Sequence, residues 1–396
     1  MKVSIDSIKF IEELYPRNGF DNEVVNSYRL NIEKLPAIII SKENYLVDGY
    51  HRILAHKLEG LTEIEAEIYD IAKDKVLWEA TKVNARHGLQ LSTKEKKRLA
   101  IHFYKNNDCT LSQISEVLAV SEATLSNSWL REVIEDARQE QKREIIELYL
   151  RCLTQQEISD KIGLSQSRIS EIIEKFKNEF SDKTPESLQL FNVWNFPNRQ
   201  NVLDFNGAIP REIVENVLYY YTEPFDLIVD PMGGSGTTID ICRTMYRRYR
   251  VYDINPIRLE SITKHDIRKG YPSECKNCDL IFLDPPYYNM VFDNFGSIEE
   301  FYEFIVRLAK DSYKTVKENG IVTLLMQDMT EKGKYCLSGE SYRFFIEAKF
   351  VCVDHISCPL STQQFNPQQI EKSKKQKHLL GRNRDLYVFK KATKIG

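Results

Sequence analysis

The sequence predicts a multidomain protein: an α+β domain over residues 1–75, an all-α region over 76–180 and an α/β domain over 190–396. Three observations support this. Short β-branched runs flank one helical stretch before residue 75, and a repeat offset by 44 residues occupies the middle. From residue 190 strands alternate with helices, the pattern of a parallel sheet. A chain of 396 residues is long enough for each part to bury its own core.

In the first domain "LPAIIIS" and "EIEAEIYD" read as strands from their β-branched content and alternation. Between them, "YLVDGYHRILAHKLEG" reads as a short strand, a turn at Asp48 and Gly49, and a helix from Tyr50 to Gly60. Gly49 at that turn, with Arg52 three positions on, is a candidate anion site on the free N–H groups of the helix start.

Residues 92–130 and 144–176 read as helical. "TLSQISEVLAVSEATLSNSWL" from Thr110 aligns with "TQQEISDKIGLSQSRISEIIE" from Thr154, matching at the helix-packing and capping positions. Each copy is a helix-turn-helix, with a turn at Ala119 or Gly163 and a second helix capped by Ser121 or Ser165. The apolar matches, such as Ile114 with Ile158 and Leu125 with Ile169, are those needed to pack two helices. Glu122, Thr124, Gln166, Ser167 and Arg168 fall on the outward side of the second helices, where base edges are read.

Composition is that of a soluble globular protein, with 42% hydrophobic and 29% charged residues and a net charge of −3. That balance argues against a protein that coats polyanions generally, but charge is uneven. Lys82 to Lys105 carries seven Lys and Arg against Glu95 alone. A second basic run holds Lys372, Lys374, Lys375, Lys377, Arg382, Arg384, Lys390 and Lys391 against Glu371 and Asp385. Both runs suit a phosphate backbone, so double-stranded DNA is the expected partner. No apolar stretch approaches the roughly 20 residues that span a bilayer. The start "MKVSIDSIKF" lacks a signal-peptide core, so no membrane partner and a cytoplasmic location are expected. The eight cysteines show no framework spacing. Cys275 and Cys278 form one CxxC, with His265 upstream but no fourth ligand, so they are read as buried thiols and no metal is expected.

In the third domain "LIVDPMGGSGTTIDICRTM" is a strand, a glycine-rich turn and a helix. Gly233, Gly234 and Gly236 let backbone approach a ligand, and Asp253 ends the next strand 20 residues after Gly233, a spacing that suits ribose hydroxyls. This pattern fits a dinucleotide or S-adenosylmethionine equally. "LIFLDPPYYN" then ends a strand at Asp284, Pro285, Pro286 and Tyr287. An acid and a rigid carbonyl together accept both hydrogens of an exocyclic amine and expose its lone pair. Tyr287 offers a face on which an extruded base stacks.

"DPMGGSGTT" with "DPPYYN" resembles the amino-methyltransferases that modify adenine N6 or cytosine N4 in DNA, over residues from about 190 to the end. The resemblance implies a Rossmann-like fold and S-adenosylmethionine as cofactor, with Asp230, Pro231, Gly233, Gly234, Ser235, Gly236 and Thr237 lining its site. It implies Asp253 on the ribose, Asp266 near the adenine ring, and a catalytic tetrad at Asp284, Pro285, Pro286 and Tyr287. Adenine N6 is the first expected target and cytosine N4 the second. Residues 1–130, with "VDGYHRILAHKLEG" and "VNARHGLQLSTKEKKRLAIHFY", resemble the ParB-type fold. That resemblance implies CTP at Gly49, His51 and Arg52, although the paired arginines of partition proteins are missing, and a homodimer is compatible with it. Two alternatives stay open: a DNA-binding regulator with a cofactor-sensing methylase fold, and an RNA methyltransferase.

Overall fold

The computed structural model describes residues 1–86, 91–106, 109–196, 209–286, 295–328, 336–359, 367–377 and 383–392. Contacts divide the chain into two units, residues 1–140 and 141–396. No helix among the described residues is long and apolar enough to cross a membrane.

In the first unit the β-branched runs form a four-stranded sheet in the order β1 (Lys2–Ser4), β4 (Glu63–Tyr69), β2 (Ile38–Ser41), β3 (Leu46–Asp48). Ile38 and Ile40 are fully buried against Leu46, Ile53, Ile64 and Ala66. The predicted helix runs Tyr50–Leu58 and starts at Gly49, whose φ of +112° a β-carbon would resist. A β-carbon there would also stand 2.4 Å from Cγ2 of Ile38. Helices Val76–Arg86, Thr93–Asn106 and Leu111–Leu118 surround Leu99, Phe103, Ile114, Leu118 and Leu125.

In the second unit seven strands form one sheet in the order β10-β11-β9-β8-β5-β6-β7. These are β5 (Leu227–Asp230), β6 (Arg248–Asp253), β7 (Thr263–Lys264), β8 (Cys278–Leu283), β9 (Val316–Met326), β10 (Phe350–Pro359) and β11 (Asn383–Lys391). β5 to β9 pair in parallel, whereas β11 is antiparallel to both β9 and β10. Alternation sorts the side chains onto two faces. Ile228, Leu280, Phe282, Leu325, Leu386 and Val388 share one apolar core with helices Arg211–Tyr221 and Thr237–Thr244. Ile281, Leu283, Leu324, Tyr387 and Phe389 face the other, with helices Ile298–Thr315 and Leu337–Glu347.

The repeat survives in detail. Thr110 and Thr154 both form capping boxes, with Gln113 and Glu157. The Ser115 hydroxyl donates to the Val120 carbonyl at 2.6 Å, and Ser159 repeats this with Leu164 at 2.6 Å. The helical region read as one body over 76–180 is nevertheless split between the units. The first copy packs on Phe103 and Leu99, whereas Ile158, Ile169 and Ile173 of the second join the core under the parallel sheet. Polar contacts secure that second copy. Arg243 pairs with Glu147 at 2.6 Å, and Arg151 donates to the Glu260 carbonyl at 2.7 Å. The connector after it is tied down by Arg247, fully buried, which pairs with Asp182 at 2.8 Å and donates to the carbonyls of Met245 and Thr222.

Candidate cofactor and catalytic site

Parallel sheets bind ligands beyond the carboxyl ends of their strands, where the strand order reverses. Here that point lies between β5 and β8, paired through Val229 and Ile281. Asp230 ends β5, Asp284 follows β8, and the two strands bring both acids to one crevice.

Asp230 is 4% exposed. One carboxylate oxygen accepts the Thr238 hydroxyl at 2.6 Å and the other the Met232 N–H at 3.0 Å. Burial outweighs both hydrogen bonds and, with the Asp253 charge nearby, raises its pKa to about 6. Asp230 therefore organises the glycine loop from beneath, with Pro231 buried beside it.

The loop leans on β6. The Gly233 N–H donates to the Tyr252 carbonyl at 2.8 Å, and a β-carbon on Gly233 would stand 2.2 Å from Cγ1 of Val251. The Gly234 N–H donates to one Asp253 oxygen at 2.9 Å and the Asn255 N–H to the other at 2.8 Å. A carboxylate offers about four lone-pair sites, so Asp253 retains acceptor capacity on both oxygens for a vicinal diol. Gly236, at φ +84°, opens the helix Thr237–Thr244, and the hydroxyls of Ser235 and Thr237 lie 3.1 Å apart.

Sequence reasoning missed Arg258. It forks onto Asp240 at 2.7 and 3.1 Å and covers Gly236, with its Cδ 3.1 Å from where a β-carbon would be. No linear signal marks it, because Asp240 becomes its partner through the helix. Asp266 pairs with Arg268 at 2.8 Å, and that bonding holds its carboxyl below the usual carboxylate range. Asp284 is half-buried, Pro285 buried and Pro286 half-buried, whereas Tyr287 lies outside the described residues. Cys275 and Cys278 are both buried, and the Cys275 thiol meets the Tyr252 hydroxyl at 3.4 Å. Burial pushes the Cys275 thiol up to about 11.

The DNA candidates fall into three groups. Gln166, Ser167 and Arg168 are exposed on the first turn of helix Gln166–Glu179, where Arg168 pairs with Glu171 at 2.6 Å. Glu122 is exposed, whereas the Thr124 hydroxyl is bonded to Ser121 at 2.8 Å on a short helix that continues as a π turn, Leu125–Trp129. Lys372, Lys374, Lys375 and Lys377 are exposed, the first three on helix Pro367–Gln376, and Arg382 lies outside the described residues. Arg384 differs from the lysines in setting: it is 7% exposed at the start of β11, within the sheet rather than on a solvated basic tail.

In the first unit, Arg52 pairs with Asp48 at 2.5 Å. The His51 Nε2 accepts the Asp21 N–H at 2.9 Å, and burial lowers its pKa. Both side chains at the Gly49 turn are thus engaged within the protein.

The sheet order and the glycine loop define the second unit as a Rossmann-like α/β domain. A family model described as DNA methylase matches residues 52–264, more than half of the chain, and the chain belongs to that family. The matched stretch includes the glycine loop and Asp253 and ends before Asp284. The "Streptomycin biosynthesis operon possible regulatory protein" of Streptomyces griseus is 30% identical over 106 residues, covering 25% of this chain and 30% of that protein. The type II methyltransferase M.XycI of Xanthomonas campestris pv. cyanopsidis is 35% identical over 69 residues, covering 16% of this chain and 22% of that protein. The chain thus spans less than a third of the length of these curated relatives. Among solved structures, truncated ParB from Caulobacter crescentus complexed to the parS site is 15% identical with a TM-score of 0.28, covering 44% of this chain and 99% of that one.

Proposed function

We propose that the second unit transfers a methyl group from S-adenosylmethionine to an exocyclic amine of double-stranded DNA, adenine N6 first and cytosine N4 second. The supporting observation is the placement of Asp284, just past the end of β8, on the same carboxyl-end edge as the glycine loop after β5 and Asp253 at the end of β6, at the switch point of one parallel sheet. The residues fit the cofactor: Asp253 keeps acceptor capacity for a ribose diol, and the glycines admit close backbone approach. The bound cofactor would supply the electrophilic methyl group. Asp284 accepts from the target amine and turns its lone pair toward that methyl, while positioning contributes most of the acceleration. Gln166, Ser167 and Arg168 read base edges, and the lysines from Lys372 to Lys377 meet phosphates.

The test is incubation with methyl-tritiated cofactor and either duplex DNA or RNA. Label is expected in the duplex and not in RNA. A regulator would instead give mobility shifts without label.

Asp230 also gives this reading a pH signature. Its pKa of about 6 lies above the ordinary value of 3.8, so the folded protein keeps this proton to higher pH than the unfolded chain. The cofactor-free protein is spared the penalty below about pH 4 and loses about 3 kcal/mol as pH rises through 6. A sulfonium cation favours the ionised carboxylate. Cofactor affinity should therefore rise between pH 5 and pH 7, with proton release on binding at the acid end. Calorimetry in buffers of different ionisation enthalpy measures both, and Asp230→Asn should flatten the profile.

A further inference from the structure

Arg384 is more than nine-tenths buried, and its Nε has no hydrogen-bond partner. Among the described residues no acid pairs with its guanidinium. The adjacent Asp385 is committed elsewhere, accepting from Ser338 at 2.7 Å and bonding His355 at 2.8 Å. Burying an unpaired cation is costly, so such a group calls for an anion.

The strand register shows where that anion would sit. β11 runs antiparallel to β9, so its first residues lie at the carboxyl ends of the parallel strands, on the crevice side. Alternation puts Arg384 on the face of Leu386 and Val388, and Asp284 on the face of Leu280 and Phe282, which is the same face. β8 pairs Leu283 with Leu324, and β9 pairs Leu325 with Leu386. Asp284 thus stands near the level of Leu386, and Arg384 is two residues further into the crevice. Two strand spacings separate β8 from β11, about 10 Å. The neighbour across the pair is Cys358, whose thiol burial pushes up to about 12 against the pull of the Arg384 charge.

We propose that Arg384 binds the phosphodiester of the nucleotide whose base is held at Asp284. This rests on reading the second unit as a DNA methyltransferase. The guanidinium fork would take two phosphate oxygens, anchoring the strand while the base enters the crevice.

The test uses the full chain, wild type and Arg384→Met, with a mixed-sequence duplex. Anisotropy is followed across a potassium chloride series, tritium transfer gives KM and kcat, and thermal unfolding is recorded without DNA. Loss of one phosphate contact should flatten the slope of log affinity against log salt by about 0.9. KM for DNA should rise about tenfold, the converse of a good charge-assisted contact, with cofactor affinity unchanged. Tm should hold or rise, because an unpaired buried charge has been removed, and Arg384→Lys should keep the wild-type slope. An unchanged slope and KM, or a methionine variant that melts early or fails to fold, would assign Arg384 a structural role and overturn the proposal. If wild type transfers no label at all, it is the methyltransferase reading that fails.

Discussion

Replacing Asp284 with alanine should lower kcat for methyl transfer by at least about 10²–10³-fold, the cost of losing one aligned partner at a reacting group. Cofactor affinity should stay nearly constant, because the proposed cofactor residues, Asp253 and the glycine loop, extend from β5 and β6 while Asp284 leaves from β8. Asparagine should be less damaging than alanine, since its carbonyl oxygen still accepts one amine hydrogen. Single-turnover rates and calorimetry on the same preparations separate the two effects. Loss of cofactor binding in Asp284→Ala would move that carboxylate to the wrong side of the crevice.

The second large effect concerns where the catalytic unit begins. A fragment starting at Ser181 contains every candidate cofactor residue, and the sequence alone presents it as a self-contained fold. The structure predicts that it will not fold stably. Ile145, Ile146, Leu148, Leu150, Ile158, Ile169 and Ile173 all belong to the core shared with the sheet. Burying each such side chain contributes about 1.5–3 kcal/mol. Even half of that total rivals the roughly 5–15 kcal/mol that stabilises a whole domain. A fragment starting at Arg131 keeps the helix Arg131–Leu150 entire and should unfold cooperatively and bind cofactor. Circular dichroism melts of the two fragments decide it, and a cooperative melt of the shorter one near the temperature of the longer would refute the shared core.

That contrast shows what the sequence could and could not convey. The strands of the parallel sheet were legible because apolar or alternating runs stop at Asp230, Asp253 and Asp284, so the fold and the candidate site were read together. The repeat was legible too, down to the Ser121 and Ser165 caps of its second helices, because capping is local chemistry. Its allocation to two units was not, since which apolar face meets which sheet is settled by tertiary packing. β7 is two residues long and leaves no periodic signal. Charge counting grouped Arg384 with the exposed lysines, yet strand parity turns it inward. Arg247 was hidden inside "YRRYR", where its burial depends on the distant partner Asp182.

The most direct measurement is mass spectrometry of nucleosides from duplex DNA incubated with the full chain and S-adenosylmethionine. An exocyclic amine held at Asp284 predicts N6-methyldeoxyadenosine, or N4-methyldeoxycytidine if the crevice takes the smaller base, lost in Asp284→Ala. Methylation at a ring carbon, or a product unchanged by that substitution, would contradict transfer at this site.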